Sequence, residues 1–140
     1  MTVVADTGAL YAAFDADDLH HRAVADWLNA SNDTPVVSPL VLAELDYLLA
    51  RNGGERTRAD AMAELTERVV VGSFTHATFV AAAGLAASYG ELGIGLTDAS
   101  VLLLARDHDT VDILTTDQRH FRAVRPPGAG KAYRLLPFDA

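Results

Sequence analysis

The segment Val3-Val4-Ala5-Asp6-Thr7-Gly8 decides how this chain folds. Thr2 to Ala5 is a short apolar run rich in β-branched residues, which predicts a buried strand. Asp6-Thr7-Gly8 ends that strand, and Ala9 to Phe14 follows at once as a short helix. The chain therefore opens with a strand that leads into a helix and leaves a carboxylate at the junction.

The same alternation of short strands and helices continues to the end of the chain. It predicts a single domain, residues 1–140, with a three-layer α/β/α architecture and a mostly parallel sheet of about five short strands. The further strands are expected at Val36–Val37, Val69–Val71, Ile113–Thr115 and Tyr133–Leu136. The further helices are expected from Asp17 or Asp18 to Leu28, from Ser38-Pro39 to about Arg51, Glu55–Glu67, His76–Tyr89, and Asp98 to about Arg106 after a Thr97 cap.

Composition narrows the class of protein. A net charge of -8 argues against a general nucleic-acid clamp, which usually carries a basic surface. One basic stretch stands out between residues 118 and 134, where no acid occurs, although a run of this kind is often only a solvated face. It contains Arg119, Arg122, Arg125, Lys131 and Arg134.

The sequence gives no sign of export or of a membrane span. The absence of cysteine excludes disulfides and thiolate metal sites, which suits a reducing cytoplasm. The N-terminus lacks a basic segment followed by a long apolar run, so we expect no signal peptide. Ala77 to Ala87, the longest nearly apolar stretch, is too short to cross a bilayer.

Four acidic residues occupy places where a carboxylate is costly. Asp6 ends the first predicted strand and Asp117 ends the fourth, so both are expected at the edge where ligands bind in parallel sheets. Glu44 has apolar residues three and four positions away on both sides, and Asp98 begins a helix. Each alone has a structural explanation, as a helix cap, a turn residue, a side chain that snorkels to solvent, or a charge that complements the helix dipole.

Together the four acids favour a metal site. Carboxylates that converge in a confined site repel one another, so either their pKa values rise or cations bind. Hard oxygen ligands select Mg²⁺, with Mn²⁺ as the alternative, over zinc. This predicts a metal-dependent hydrolase acting on phosphodiesters.

Other common enzyme classes fit poorly. The five histidines lack zinc-site spacing, and no phosphate-binding glycine loop or serine nucleophile elbow is present. Gly8 stands where a phosphatase with an Asp-x-Asp start needs its second acid, and the position of Lys131 does not suit a response-regulator receiver. We expect His120, near Asp117, to cap or pack more readily than to touch RNA.

The motifs around the four acids resemble those of PIN domains of the VapC toxin type. They cover nearly the whole chain in the family's order. They are Val3-Val4-Ala5-Asp6-Thr7-Gly8-Ala9-Leu10, Ser38-Pro39-Leu40-Val41-Leu42-Ala43-Glu44-Leu45, Leu96-Thr97-Asp98-Ala99-Ser100 and Ile113-Leu114-Thr115-Thr116-Asp117-Gln118-Arg119-His120-Phe121.

The resemblance implies a Mg²⁺-dependent endoribonuclease, a VapB-like antitoxin that blocks its site, and a homodimer formed through helices. Asp6, Glu44 and Asp98 are then the expected metal ligands, with Asp117 as a ligand or a support behind the ligands. Thr7 and Thr115 are expected to orient ligands or water, and Arg119, Arg122 and Arg125 to bind RNA. The alternative is a PIN module that binds metal or RNA in a regulatory or scaffold role with little cleavage.

Overall fold

A five-stranded parallel sheet forms the centre of the protein. The computed structural model describes residues 2–127 and 132–140. The strand order is β3-β2-β1-β4-β5, and every neighbouring pair is parallel. The strands are β1 (Val4–Ala5), β2 (Val36–Val37), β3 (Val70–Val71), β4 (Asp112–Leu114) and β5 (Arg134–Leu136). The predicted α/β class and parallel sheet are confirmed.

The strand order creates one topological switch point. From β1 the chain builds outward through β2 to β3, and it then returns to place β4 on the other side of β1. Ligands of open α/β sheets bind at such a point, outside the carboxyl ends of the diverging strands. Here those ends belong to β1 and β4, which Asp6 and Thr115 follow directly.

Across residues 2–127 and 132–140, six α-helices accompany the sheet. They are α1 (Thr7–Phe14), α2 (His21–Ala30), α3 (Pro39–Arg68), α4 (His76–Ser88), α5 (Leu96–Asp107) and α6 (Gln118–Ala123). Burial of the apolar strand residues against α1, α3 and α5 builds the main core. A smaller apolar cluster of Ala82, Ala99 and Leu103 joins α4 to α5.

The helix α3 contains the two helices predicted from the sequence. Ser38 caps its start, where the Ser38 hydroxyl accepts a hydrogen bond from the N–H of Leu40 at 3.2 Å. Gly54 has a φ of 82° and interrupts the helical backbone. Since that conformation favours glycine, the predicted stop at Gly53-Gly54 becomes a kink within one element.

Three local predictions need correction. The helix α2 begins at His21, with His20 in the capping position, instead of at Asp17 or Asp18. The helix α5 begins at Leu96, with Gly95 in the capping position and no side-chain cap, so Thr97 lies in the first turn instead of capping it. The helix α6 was not expected, because six residues are too few to show a helical repeat. Asp117 caps α6 by accepting the N–H of His120 at 3.0 Å.

Across residues 2–127 and 132–140, no helix is both long and apolar enough to cross a membrane.

Candidate metal centre

Asp6 lies buried between the two central strands. Its side chain follows β1 and is only 5% exposed, and its backbone N–H donates to the carbonyl of Leu114 in β4 at 2.9 Å. The hydroxyl of the fully buried Thr115 donates to Oδ2 of Asp6 at 3.1 Å. No basic side chain of the described chain pairs with this carboxylate, so its charge lacks a cationic partner.

The surroundings of Asp6 disfavour its ionised form. Burial, followed by the nearby Asp98 carboxylate, raises the pKa of Asp6 from 3.8 to about 7. Hydrogen bonds from the Thr7 backbone and the Thr115 hydroxyl oppose this rise, and Asp117 adds to it. A buried carboxylate with this pKa is stabilised as an anion only when a cation joins it.

Asp117 is held through both of its oxygens by His120. Oδ1 accepts the backbone N–H of His120 at 3.0 Å, and Oδ2 lies 2.7 Å from Nδ1 of the His120 ring. The ring contact is an ion-pair approach, since the buried Nδ1 makes no aligned hydrogen bond within the described residues. The Asp117 N–H also donates to the Thr115 hydroxyl at 2.9 Å, which connects Asp117 to Asp6 through one side chain.

Asp98 approaches the same edge of the sheet from the first turn of α5. Its Oδ2 lies 3.6 Å from Nδ1 of His120. Burial raises the pKa of Asp98, the charge of His120 opposes that rise, and the carboxylates of Asp117 and Glu44 reinforce it. Asp98 is therefore within electrostatic reach of the other three acids, since it also raises the pKa of Asp6.

Glu44 lies on the exposed side of α3 and not, as was expected, on its buried apolar face. The core face of α3 is formed by Val41, Leu45 and Leu49, whereas Glu44 is exposed and its neighbour Tyr47 is 62% exposed. The expectation that Glu44 sits on a buried apolar face is therefore wrong, because the apolar stripe follows an i, i+4, i+8 row that passes beside it. The Glu44 carboxylate is nevertheless near enough to Asp98 to contribute to raising the pKa of Asp98.

The donor set fits a hard divalent cation. Four carboxylates influence one another, and the buried hydroxyl of Thr7 has no hydrogen-bond partner in the part of the chain that the structure describes. Within those residues, no three acids, histidines or cysteines are already drawn to liganding distance.

His120 is the site residue that the sequence reasoning undervalued. Its ring contacts Asp117 and faces Asp98, so it lies among the acids instead of only packing or capping. The available signal was its position three residues after Asp117, which places both side chains on one face once α6 forms.

Fewer arginines of the basic stretch between residues 118 and 134 are free to bind RNA than the sequence indicated, because Arg122 and Arg134 pair with acids. Arg122 binds Asp139, with Nη2 2.9 Å from Oδ1, and it also donates to the side-chain oxygen of Gln118. Arg134 pairs with the buried Asp112 at 3.3 Å. Arg119 and Arg125 are exposed, and neither makes an ion pair or side-chain hydrogen bond with another described residue. Lys131 lies outside the described residues.

A parallel sheet with acidic residues at its switch point is the arrangement that the sequence motifs predicted for a PIN domain. The family model for the PIN domain matches residues 3–126. The chain belongs to the PIN-domain family, in its VapC group.

Relatives and solved structures agree with that assignment. Over 136 residues the chain is 39% identical to Ribonuclease VapC26 of Mycobacterium tuberculosis, covering 96% of this chain and all of the relative. It is 32% identical to Ribonuclease VapC29 of the same organism, covering 78% of this chain and 81% of the relative.

Two crystal structures show the same fold. VapC20 of M. tuberculosis, described as a sarcin-ricin loop cleaving toxin, superposes with a TM-score of 0.77 at 23% identity, covering 83% of this chain and 90% of VapC20. VapBC2 of Rickettsia felis, bound to a DNA fragment from its promoter, gives a TM-score of 0.63 at 20% identity over 84% of this chain and 89% of that chain.

Proposed function

We propose that this protein is a Mg²⁺-dependent endoribonuclease and the toxin of a VapBC-type toxin–antitoxin pair. The observation that carries the proposal is the acidic cluster at the switch point of the sheet, where the Thr115 hydroxyl hydrogen-bonds Asp6 and Asp117 and the His120 ring lies against Asp117 and Asp98. The names of the relatives VapC26 and VapC29 support ribonuclease activity. The proposed place of action is the cytoplasm, where the protein would encounter both RNA and the antitoxin.

The proposed roles of the acids follow from their contacts. Asp6, Glu44 and Asp98 would hold the cation. Both oxygens of Asp117 already contact His120, so its better role is to support the site from behind. When bound, the metal lowers the pKa of a coordinated water to generate the attacking hydroxide, and it stabilises charge on the phosphate.

The remaining polar groups position the acids and the substrate. Thr115 fixes one oxygen of Asp6 and the backbone of Asp117 with a single hydroxyl. The buried hydroxyl of Thr7, which has no hydrogen-bond partner among the described residues, is available to a ligand or a water inside the site. Arg119 and Arg125, which have no partner in the described structure, are available for RNA phosphates, whereas Arg122 is engaged by Asp139.

Cleavage of labelled RNA by the purified protein tests this proposal. Cleavage should require Mg²⁺ or Mn²⁺, stop in EDTA, and fall by about 100-fold or more in Glu44→Gln. Asp46→Asn is the matched control, because Asp46 lies on the same helix but pairs with Arg58 at 3.0 Å. RNA binding without cleavage under all metal conditions would favour the regulatory module instead.

Besides the acidic site that it is expected to block, the antitoxin is proposed to contact a groove between α1, α2 and the end of α3. The groove encloses about 430 Å³, and its lining includes the apolar residues Leu10, Phe14, Leu28 and Leu65. Glu64 and Glu67 also line it. An antitoxin segment that carries both apolar and basic residues would match this lining. The R. felis VapBC2 structure supports an antitoxin as partner.

The exposed side of α4 is proposed to pair with a second copy of the chain. Residues 76–90 contain no charged residue, and Phe79 and Val80 are exposed on this helix. Two copies that each carry a net charge of -8 can approach here with the least repulsion. Light scattering should show a dimer that Val80→Glu converts to a monomer, and a wild-type monomer would contradict the pairing.

A further inference from the structure

A buried pair of hydroxyl groups joins the helix that carries Glu44 to the helix that carries Asp98. The hydroxyls of Ser38 and Ser100 lie 2.7 Å apart, and both residues are 2% exposed. Ser38 caps the start of α3, and Ser100 lies in the second turn of α5. This is the one side-chain hydrogen bond between these two elements among residues 2–127 and 132–140.

The surrounding hydrogen bonds fix the direction of this contact. The Ser100 hydroxyl donates to the carbonyl of Thr97 at 2.6 Å, so its oxygen is left to accept from Ser38. The Ser38 oxygen in turn accepts the N–H of Leu40 at 3.2 Å. Each hydroxyl therefore donates once and accepts once, and a buried chain that is satisfied in this way holds its members rigidly.

The pair lies close to the acids along both helices. Asp98 precedes Ser100 by two residues, and Glu44 follows Ser38 by six residues, or about 9 Å along the helix axis. The other contacts between the two helices belong to the apolar core, which is non-directional. The hydrogen bond adds a directional restraint on how far α3 slides or rotates against α5.

We propose that Ser38 and Ser100 are positioning residues that set Glu44 against Asp98 and thereby set the affinity of the site for its divalent cation. The inference rests on the proposed metal site. It goes further by assigning the separation of two ligands to a pair of hydroxyls that touch neither the metal nor RNA.

Thr110 offers a matched control at the opposite edge of the sheet. Its hydroxyl donates to the carbonyl of Thr2 at 2.7 Å and accepts the N–H of Asp112 at 3.1 Å. It therefore donates once and accepts once, as the Ser100 hydroxyl does, but it precedes β4 instead of following it. Ser100→Ala and Thr110→Val each remove one such hydroxyl, so a general loss of stability would affect both.

Titration calorimetry with MgCl2 on the full chain measures Mg²⁺ affinity directly and so tests the proposal independently of RNA cleavage. Ser100→Ala is the test variant, and Ser100→Cys replaces it if Ser100→Ala does not fold. We expect Ser100→Ala to weaken Mg²⁺ binding on the order of 10-fold, and Thr110→Val to stay within about twofold of wild type. Equal affinity in wild type and Ser100→Ala, or equal loss in both variants, would overturn the positioning role. A wild type that binds neither Mg²⁺ nor Mn²⁺ would instead overturn the proposed metal site.

Discussion

Replacing Asp6 by asparagine should stabilise the metal-free protein above neutral pH. Asparagine keeps the size of the side chain and an oxygen that can accept from the Thr115 hydroxyl, which now donates to Asp6 at 3.1 Å. It removes a negative charge that burial and Asp98 disfavour. The substitution therefore removes a ligand for the cation, and it stabilises the folded protein when no cation is bound.

The size of the effect follows from the pKa of Asp6. The pKa is 3.8 in its reference state and about 7 in the folded protein. Between these values the folded state retains a proton that the unfolded chain has released, so the free energy of unfolding falls as pH rises. At 1.36 kcal/mol per pKa unit, the loss is complete above pH 7 and amounts to about 4 kcal/mol.

Thermal unfolding in EDTA between pH 5 and pH 9 measures this difference. At pH 8 the melting temperature of Asp6→Asn should exceed that of wild type by roughly 10 °C, and the difference should shrink to less than half of that at pH 5, because the loss ends only near the reference pKa of 3.8. Saturating Mg²⁺ should narrow the gap, since a ligand at 100 times its Kd adds about 2.7 kcal/mol to the protein that binds it. Asp26→Asn, which alters an exposed acid, should leave the curve unchanged. A variant less stable than wild type at pH 8 in EDTA would refute the reasoning.

Three further predictions concern the residues around the acids. His120→Ala should slow single-turnover cleavage by about 10-fold, and His120→Asn, which keeps a nitrogen beside Asp117, should recover part of the rate; equal rates in the two variants would contradict the contact. Arg119→Ala and Arg125→Ala should each raise KM for RNA. Each should also reduce the slope of the logarithm of the RNA-binding constant against the logarithm of the salt concentration by about 1. An unchanged slope would mean that both arginines are only solvated surface residues. Glu67→Lys should weaken antitoxin binding without changing cleavage, as measured by calorimetry and RNA cleavage, and unaltered binding would exclude the groove.

The sequence predicted the layers of this fold because its strands are short, apolar and regularly separated by helices. Val4–Ala5 and Val36–Val37 fall within their predicted segments, and all five strands pair in parallel. The start of α5 was missed because Gly95, which provides no side-chain cap, precedes it, and α6 was missed because it has only six residues. Periodicity carries no information about such short segments.

The sequence predicts where the acids lie relative to the strands and helices better than it predicts their contacts. Asp6 follows a buried strand, and this local pattern suffices to place it at the edge of the sheet. The exposure of Glu44 depends on which row of α3 faces the core, and the engagement of Arg122 depends on Asp139, 17 residues further along the chain. Contacts between residues so far apart in the sequence can be identified only in the folded structure.

Anomalous scattering from crystals soaked in MnCl2 tests the central claim most directly. The account predicts Mn²⁺ at the switch point of the sheet, with carboxylate oxygens of Asp6 and Asp98 at about 2.0–2.2 Å and Glu44 turned in from solvent. Manganese bound only elsewhere, for instance at the surface acids Asp15, Asp17 and Asp18, would contradict the assignment of the four acids to a metal centre.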